Sequence, residues 1–293
     1  MLKVYIDGQY GTSGLILHSL VENHPLLKCI TISANKRRDE KLRVQCFTEA
    51  DLVVLCLPDN EVQKTLTLIP KHKRVIDCGV SLRSDPKWIY GLPELGEKQR
   101  KTIRDAKYVA NPGCFALAFI LLVKPLIDSD YISSSSLVSV FAVNGYSAGG
   151  QRMIKHYESG RSKGQIHNLN QSHKHIPEMM RFCGLNQRPN FIPSVGAHKE
   201  GLVLTLPLIN SKRSELLKLY REKYLNEKLI ILYDNTVNNL SPVYLKNDIE
   251  IYINREEDCV ISVRMSNLLK GAAGTALQNI NIMLGMDECL GLY

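Results

Sequence analysis

The sequence predicts an α/β protein of two domains, a doubly wound α/β domain followed by an α+β domain. Its 293 residues exceed what a single hydrophobic core usually organises. Strand and helix patterns alternate over the first third, and Leu52 to Leu57 is continuously apolar, as in a parallel strand buried on both faces. The rest of the chain mixes strong strand patterns with helices, which is typical of an α+β domain with a mixed or antiparallel sheet.

The first domain is predicted to end near Gly113. Leu15, Leu17, Leu20 and Val21 recur at helical spacing, and His24-Pro25 ends that helix. Its predicted strands are Leu2 to Ile6, Leu27 to Ser33, Leu52 to Leu57, Arg74 to Asp77 and Lys107 to Ala110.

The second domain begins with an apolar helix that follows Cys114 and is expected to stop at Lys124-Pro125. Further helices are predicted over Ser214 to Tyr224 and Gly271 to Leu284. Its predicted strands are Ser136 to Val143, Gly201 to Leu208, Leu229 to Tyr233, Ile249 to Ile253 and Cys259 to Val263.

Composition excludes several classes of function. The net charge of +8 would suit a nucleic-acid binder or an enzyme with anionic ligands. The chain has no helix-turn-helix, RNA-binding or zinc-finger signature, which favours the enzyme and predicts no nucleic-acid partner. No apolar run reaches the ~20 residues of a membrane span, so no membrane association is expected.

The eight cysteines include no CxxC pair, which predicts neither a zinc ribbon nor any other metal site. Disulfides are possible but not implied, and a reducing cytoplasm is the simpler interpretation. The N-terminal residues resemble a first strand, not a signal peptide. Seven of the cysteines are expected to be ordinary buried thiols.

Cys114 differs from the others because it follows a tight Pro112-Gly113 turn and opens the apolar helix. The unpaired N–H groups and the dipole at a helix start favour a thiolate. A thiolate there is a candidate nucleophile, and the chemistry that it suggests is a covalent thioester.

A glycine-rich loop lies between the first strand and the first helix, where a dinucleotide fingerprint belongs. Its glycines allow a close approach to a pyrophosphate, and the helix start offers N–H donors. Ser33 ends the second predicted strand and Arg37 follows it, ahead of any acidic residue, so the site is predicted to bind NADP. The predicted phosphate-binding residues are Gly8, Gly11, Thr12, Ser13 and Gly14.

His175 precedes Pro177, which suits the first turn of a helix. A histidine at that helix start is a candidate acid and base for Cys114, and Glu178 is a candidate for orienting its ring. His173 remains a rival for the same role.

The chain resembles the N-acetyl-γ-glutamyl-phosphate reductases in their shorter, type 2 form, over nearly its whole length. The matching blocks, in family order, are Gly8-x-x-Gly11-x-x-Gly14, Tyr90-Gly91-Leu92-Pro93-Glu94-Leu95, Asn111-Pro112-Gly113-Cys114-Phe115, His173-Lys174-His175-Ile176-Pro177-Glu178 and Lys270-Gly271-Ala272-Ala273-Gly274. The cysteine and Tyr-Gly-Leu-Pro-Glu blocks are the specific ones, whereas the glycine loop and the lysine block are shared with aspartate-semialdehyde dehydrogenases.

The resemblance implies a semialdehyde-dehydrogenase-like fold and an arginine-pathway reaction. It implies that Cys114 attacks the γ-acyl phosphate, that NADPH reduces the thioester, and that His175 and Glu178 assist. It implies an NADP-binding, Rossmann-like domain over 1–113 that is completed by 271–293, and a catalytic and oligomerisation domain over 114–270. It also implies a homodimer or homotetramer, Lys270 and Gly271 near the nicotinamide, and a substrate site that includes Ser147, Gly149, Arg152 and Lys199.

Three positions depart from the usual family pattern: Leu117, Leu122 and Gln151. Leu117 and Leu122 are expected to affect only the packing of their helix. Gln151 stands where the family usually has a basic residue, so whether Arg152 or Lys199 holds the substrate anion stays open. The alternatives are an aspartate-semialdehyde or aminoadipate-type semialdehyde dehydrogenase, and an NADP-binding regulator without activity. The Tyr90 to Glu94 block favours the N-acetylglutamyl substrate, and the intact Cys114, His175 and Glu178 favour an enzyme.

Overall fold

The computed structural model describes residues 1–160, 162–243 and 246–293. The chain divides into two compact units, one formed by residues 1–112 and 272–293 and the other by residues 113–271. Each unit is built around its own β-sheet.

Unit 1, all of whose residues are described, is a parallel sheet with helices between the strands. Its elements are β1 (Leu2–Asp7), α1 (Thr12–Glu22), β2 (Leu27–Ile30), α2 (Glu40–Glu49), β3 (Leu52–Leu55), α3 (Asp59–Leu68), β4 (Arg74–Asp77), β5 (Ile89–Tyr90), α4 (Glu97–Asp105), β6 (Tyr108–Ala110) and α9 (Gly274–Met283). The six strands lie in the order β2-β1-β3-β4-β6-β5, and all their pairings are parallel. The order reverses between β1 and β3, and ligands of such sheets bind beside the carboxyl ends of the strands at that point.

Unit 2 is an α+β unit with a mixed sheet. Its elements are α5 (Cys114–Asp128), β7 (Ser139–Asn144), α6 (Gly150–Glu158), β8 (Gln165–Ile166), α7 (Ile176–Cys183), β9 (Asn190–Val195), β10 (Leu202–Pro207), α8 (Arg213–Tyr224), β11 (Ile230–Tyr233), β12 (Ile249–Asn254) and β13 (Val260–Met265). Within its described residues, seven strands lie in the order β11-β12-β13-β10-β7-β9-β8. The β7–β9 and β11–β12 pairs are parallel and the other pairs are antiparallel, as the mixed pattern predicts.

The helix after Cys114 is longer than predicted, because α5 continues through Pro125 to Asp128. Pro125 has no N–H for the carbonyl oxygen of Leu121, one turn earlier. The Tyr224 hydroxyl donates to that oxygen at 2.5 Å, and the Tyr220 hydroxyl donates to the carbonyl of Leu122. Two buried tyrosines of α8 thus satisfy the carbonyls around the proline, so the helix does not end there.

Other differences concern element ends and cysteine burial. Strand β2 ends at Ile30 instead of Ser33, since a 3₁₀ turn follows at Ala34–Lys36. The last helix is preceded by a π-helical turn over Leu269–Ala273. Cys56, Cys78 and Cys289 are half-buried, so the expectation of seven fully buried cysteines is wrong for these three. Among the described residues, no helix has both the length and the apolar character needed to cross a membrane.

Candidate active site

Cys114 is the first residue of α5 and is half-buried, whereas the apolar residues from Phe115 to Val123 that follow it are buried. Gly113 is the N-cap residue with extended backbone, and its carbonyl accepts the first helical hydrogen bond from Leu117 at 2.8 Å. Gly113 offers no side-chain cap, so no capping side chain takes up the N–H groups of the first turn, where Cys114 stands. This is the environment that favours a thiolate.

The sequence did not predict a second group at the sulfur, the amide of Asn144. Its Nδ2 donates to Cys114 Sγ at 3.4 Å, and its side chain is only 1% exposed. Asn144 is the last residue of β7, and its one sequence signal was its position before the glycine-rich loop. A buried amide that donates to sulfur stabilises the thiolate over the thiol.

Gly271 leaves room for the cysteine. A Cβ at this position would lie 2.9 Å from Cys114 Cβ and 3.0 Å from the Ser266 carbonyl oxygen. The sequence assigned Gly271 to the cofactor, and the structure places it directly against the candidate nucleophile. Lys270, the preceding residue, is fully buried.

Glu178 holds the segment before the nucleophile. Gly113 in this segment is extended, with φ −80° and ψ 141°, so the predicted tight Pro112-Gly113 turn is wrong, whereas the predicted helix start after it is observed. Glu178 Oε2 accepts a hydrogen bond from the Gly113 N–H at 3.1 Å, and the side chain is 1% exposed. Because Glu178 lies in the first turn of α7, this bond ties the start of α7 to the start of α5. The predicted role was to orient a histidine ring, and the contact with the Gly113 amide is an additional one.

The structure distinguishes the two rival histidines by their surroundings. The N–H of His175 donates to His173 Nδ1 at 3.1 Å, so the ring proton of neutral His173 lies on Nε2. Burial, with smaller contributions from His167 and Lys174, lowers the pKa of His173 to about 4. His173 is therefore neutral at pH 7 and holds the backbone of His175.

His175 is the N-cap residue of α7, and Pro177 stands in the first turn as predicted. Both rings pack on Phe115, the residue after Cys114, with ring centroids 5.6 Å away for His173 and 6.2 Å for His175. The fold thus brings His175 beside the start of α5, across 61 residues of sequence (175 − 114).

The glycine-rich loop after β7 is fixed by buried hydrogen bonds. The N–H of Ser147 donates to the carbonyl of Lys199 at 3.0 Å, and Ser147 Oγ accepts from Asn267 Nδ2 at 3.0 Å. A Cβ on Gly149 would lie 2.5 Å from the sulfur of Met153. The loop ends at the start of α6, whose N-cap residue again offers no side-chain cap, so its N–H groups can receive an anion.

Arg152 and Lys199 are both exposed, and Lys199 forms an ion pair. Arg152 is an exposed residue of α6, in its first turn. The Lys199 ammonium is exposed and pairs with Glu158 at 3.0 Å. Exposed ion pairs of this kind contribute little stability, so Lys199 can exchange this partner for a ligand at small cost.

In unit 1, the backbone of the glycine loop is so closely packed that Gly8 and Gly14 have no room for a side chain. Gly8 has φ +96°, and a Cβ there would lie 2.3 Å from the Cys56 carbonyl oxygen. A Cβ on Gly14 would lie 2.2 Å from the carbonyl oxygen of Gly8. Thr12 Oγ1 is buried, and no described group hydrogen-bonds to it. A glycine cradle with an orphaned hydroxyl at the start of α1 fits a dinucleotide phosphate.

Ser33 and Arg37 lie on the exposed turn after β2. Ser33 Oγ donates to Asn35 Oδ1 at 2.8 Å, and Arg37 donates to the Ala34 carbonyl at 3.1 Å. The nearest following acid, Asp39, accepts from the N–H of Leu42 as the cap of α2. The Asp39 carboxylate is therefore held at the start of α2. Ser33 and Arg37 are the side chains of this turn that suit a 2′-phosphate.

The Tyr90 to Glu94 block has a structural role in unit 1. Asn279 Nδ2 of α9 donates to the Gly91 carbonyl at 2.9 Å and to Asn111 Oδ1 at 3.1 Å. Glu94 Oε1 accepts from Gln278 Nε2 at 3.1 Å. The block thus anchors α9 through buried amides, which the sequence motif alone did not indicate.

The sequence is similar to a family of known enzymes along its whole length. Residues 114–267 match the family described as semialdehyde dehydrogenase, dimerisation domain. The chain is 33% identical to N-acetyl-gamma-glutamyl-phosphate reductase of Trichormus variabilis, with 99% of each chain covered. It is 34% identical to N-acetyl-gamma-glutamyl-phosphate reductase 2 of Pseudomonas putida, with 98% of each covered.

Solved structures support the fold. An aspartate semialdehyde dehydrogenase of Candida albicans, crystallised with NADP, aligns with a TM-score of 0.72 over 97% of this chain and 99% of its own, at 12% identity. Aspartate semialdehyde dehydrogenase II of Vibrio cholerae aligns with a TM-score of 0.70 over 97% and 98%, at 11% identity. At such identities the likeness concerns fold, and it confirms the predicted semialdehyde-dehydrogenase-like α/β architecture.

Proposed function

The chain belongs to the N-acetyl-γ-glutamyl-phosphate reductase family, and we propose that Cys114 carries that family's reaction here. The reaction reduces N-acetyl-γ-glutamyl phosphate to N-acetylglutamate 5-semialdehyde with release of phosphate, in arginine biosynthesis. The observation that carries the proposal is the Cys114 sulfur at the start of α5 with the buried Asn144 amide donating to it.

The first step is acyl transfer to the cysteine. The Cys114 thiolate attacks the γ-carbonyl carbon, the C–S bond forms, the bond from carbon to the phosphate oxygen breaks, and phosphate leaves. His175 takes the thiol proton as the general base. Asn144 stabilises the thiolate before attack, and Glu178 keeps the Gly113 backbone in place.

NADPH, when bound, supplies the hydride that converts the thioester to the aldehyde oxidation level. His175 then returns its proton as the C–S bond breaks, which releases the semialdehyde and restores the cysteine. His173, neutral at pH 7, does not compete for that proton and positions the backbone of His175.

The cofactor residues are assigned by fit to the dinucleotide. Gly8, Gly11, Thr12, Ser13 and Gly14 would hold the pyrophosphate, with the orphaned Thr12 hydroxyl as one donor. Ser33 and Arg37 would hold the 2′-phosphate, and Lys270 and Gly271 would border the nicotinamide. Cofactor binding is accordingly assigned to residues 1–113 with 271–293, and catalysis to residues 114–270.

The substrate carries anionic groups at both ends, so two anion sites are needed. We assign one to the loop with Ser147 and Gly149 and the start of α6, where backbone N–H groups are available. Arg152 and Lys199 supply the positive charge for the carboxylate and phosphate. A cytoplasmic enzyme fits this reaction and the abundance of free thiols.

A homodimer is the proposed assembly. The matching family is described as a dimerisation domain, and β7 lies inside the unit 2 sheet with side chains that alternate between exposed and buried. Phe141 and Val143 of that strand are 53% and 40% exposed. Large apolar side chains in the middle of a sheet face favour a second copy as cover, and a tetramer would add a further interface.

The test is the reverse reaction with purified protein: phosphate-dependent reduction of NADP by N-acetylglutamate semialdehyde, beside aspartate semialdehyde. We expect turnover with the acetylated substrate and none in Cys114→Ala. Cys183→Ala, a buried thiol outside the site, is the matched control and should keep its activity. A preference for aspartate semialdehyde would contradict the substrate, and full activity of Cys114→Ala would contradict the mechanism.

A further inference from the structure

A cluster of metal-ligating side chains lies in unit 1, outside the residues assigned to cofactor or substrate. His18 and Glu22 lie one turn apart on α1, and Cys29 lies on the neighbouring strand β2. A ligand atom from each of the three lies within 4.8 Å of the other two. The three residues do not form a recognised sequence motif, which is why the cysteine pattern predicted no metal site.

We propose that His18, Glu22 and Cys29 bind a zinc ion, with water as the fourth ligand. Imidazole, carboxylate and thiolate are the three ligand types that zinc takes in proteins, and three protein ligands with an open fourth position form an ordinary tetrahedral site. The mixed sulfur and nitrogen donors select zinc over magnesium or calcium, which bind through oxygen.

The local geometry prepares the site. The N–H of Cys29 donates to Glu22 Oε1 at 3.3 Å, which holds the carboxylate toward β2 and leaves its second oxygen for the ion. Ligand atoms on a tetrahedral zinc ion lie roughly 3 to 4 Å apart. Glu22 is exposed and His18 is half-buried, so small rotamer changes bring their ligand atoms to that separation.

Charge also fits a divalent cation. With zinc bound, the thiolate and the carboxylate together neutralise its two positive charges, while His18 binds as neutral imidazole. The ion would join α1 to β2. Because α1 starts at the glycine loop and β2 leads to Ser33, the site would stabilise the part of unit 1 assigned to NADP.

Zinc chloride titration of the full-length protein, in competition with a chromogenic chelator, tests the proposal. We expect one zinc per chain in wild type, and affinity at least tenfold weaker in His18→Asn, Glu22→Gln and Cys29→Ser. Cys46→Ser and His72→Asn, in the same unit but outside the cluster, should bind as wild type does. Cys114→Ser should also retain the site, which separates it from the catalytic thiol.

Two further readouts do not depend on activity. Cobalt bound to wild type should show a thiolate charge-transfer band that Cys29→Ser lacks. Zinc should raise the melting temperature of wild type but not of His18→Asn, a helix-surface variant that leaves the buried thiol in place. The absence of zinc binding, equal binding by Cys29→Ser, or loss of binding only in Cys114→Ser would overturn the proposal.

Discussion

At the scale of single residues, the Asn144 amide is the contact that most changes the chemistry expected of Cys114. The helix start at Cys114 was predictable, because a Pro-Gly pair before an apolar run is a local pattern, although the pair itself is extended and forms no tight turn. The amide was not, because Asn144 lies 30 residues away and reaches the sulfur only through the pairing of β7 with its neighbours. Local patterns indicate such a helix start, whereas contacts across a sheet require the tertiary structure.

Replacing Asn144 with alanine should slow alkylation of Cys114 by iodoacetamide at pH 7, since the thiolate loses a donor. A hydrogen bond to a charged group contributes about 1.5–3 kcal/mol, which corresponds to roughly a 10- to 100-fold loss in rate. The measurement is the labelling rate of the Cys114 peptide by mass spectrometry, with turnover in parallel. Asn186→Ala, an exposed amide in the same unit, is the control; equal labelling rates in all three proteins would remove Asn144 from the mechanism.

At the scale of elements, β3 was predictable because its four residues are all apolar, as expected of a strand that is buried throughout. Helices α2 and α3 were not predicted. Only Cys46 and Phe47 of α2 and Val62 and Thr65 of α3 are buried, so neither helix has a strong apolar face. The continuation of α5 past Pro125 depends on two tyrosine hydroxyls of α8, about a hundred residues later in the chain.

The link between α5 and α7 can be tested at Glu178. Glu178→Gln keeps an oxygen that can accept from the Gly113 N–H, whereas Glu178→Met removes the acceptor and leaves a buried amide unsatisfied. We expect the methionine variant to lose roughly 1–3 kcal/mol of unfolding free energy, and the glutamine variant to lose much less. Urea unfolding and kcat are the measurements. Equal stability of the two variants would show that the bond from Gly113 to Glu178 does not stabilise this link.

At the scale of the whole molecule, buried titratable groups make stability depend on pH. The folded pKa of His173 is about 4 against an ordinary value of 6.5, chiefly because of burial. The folded state therefore binds fewer protons than the unfolded state, and stability is lost as pH falls from about 6.5 to about 4. The shift corresponds to about 3 kcal/mol.

His173→Gln retains an acceptor for the His175 N–H but cannot titrate. The urea unfolding midpoint should therefore fall less between pH 7 and pH 4.5 in this variant than in wild type. His72→Gln, an exposed histidine, should behave like wild type. An identical pH dependence in His173→Gln would show that this ring does not cause the acid sensitivity.

The exposed apolar residues of β7 bear on assembly. Phe141→Lys should convert the proposed dimer into monomer, because it places a charge in the apolar cover that the second copy would provide. Sedimentation velocity measures the change, with Ile209→Lys, an exposed residue of the loop after β10, as the control. If Phe141→Lys remains a dimer, the interface lies elsewhere.

The covalent intermediate tests the central claim most directly. The protein is mixed with N-acetyl-γ-glutamyl phosphate in the absence of NADPH, quenched in acid and analysed by peptide mass spectrometry. We expect an N-acetylglutamyl adduct on the Cys114 peptide that hydroxylamine removes, and no adduct in Cys114→Ala. Turnover by an enzyme that forms no adduct at Cys114, or that carries the adduct on another residue, would contradict the account.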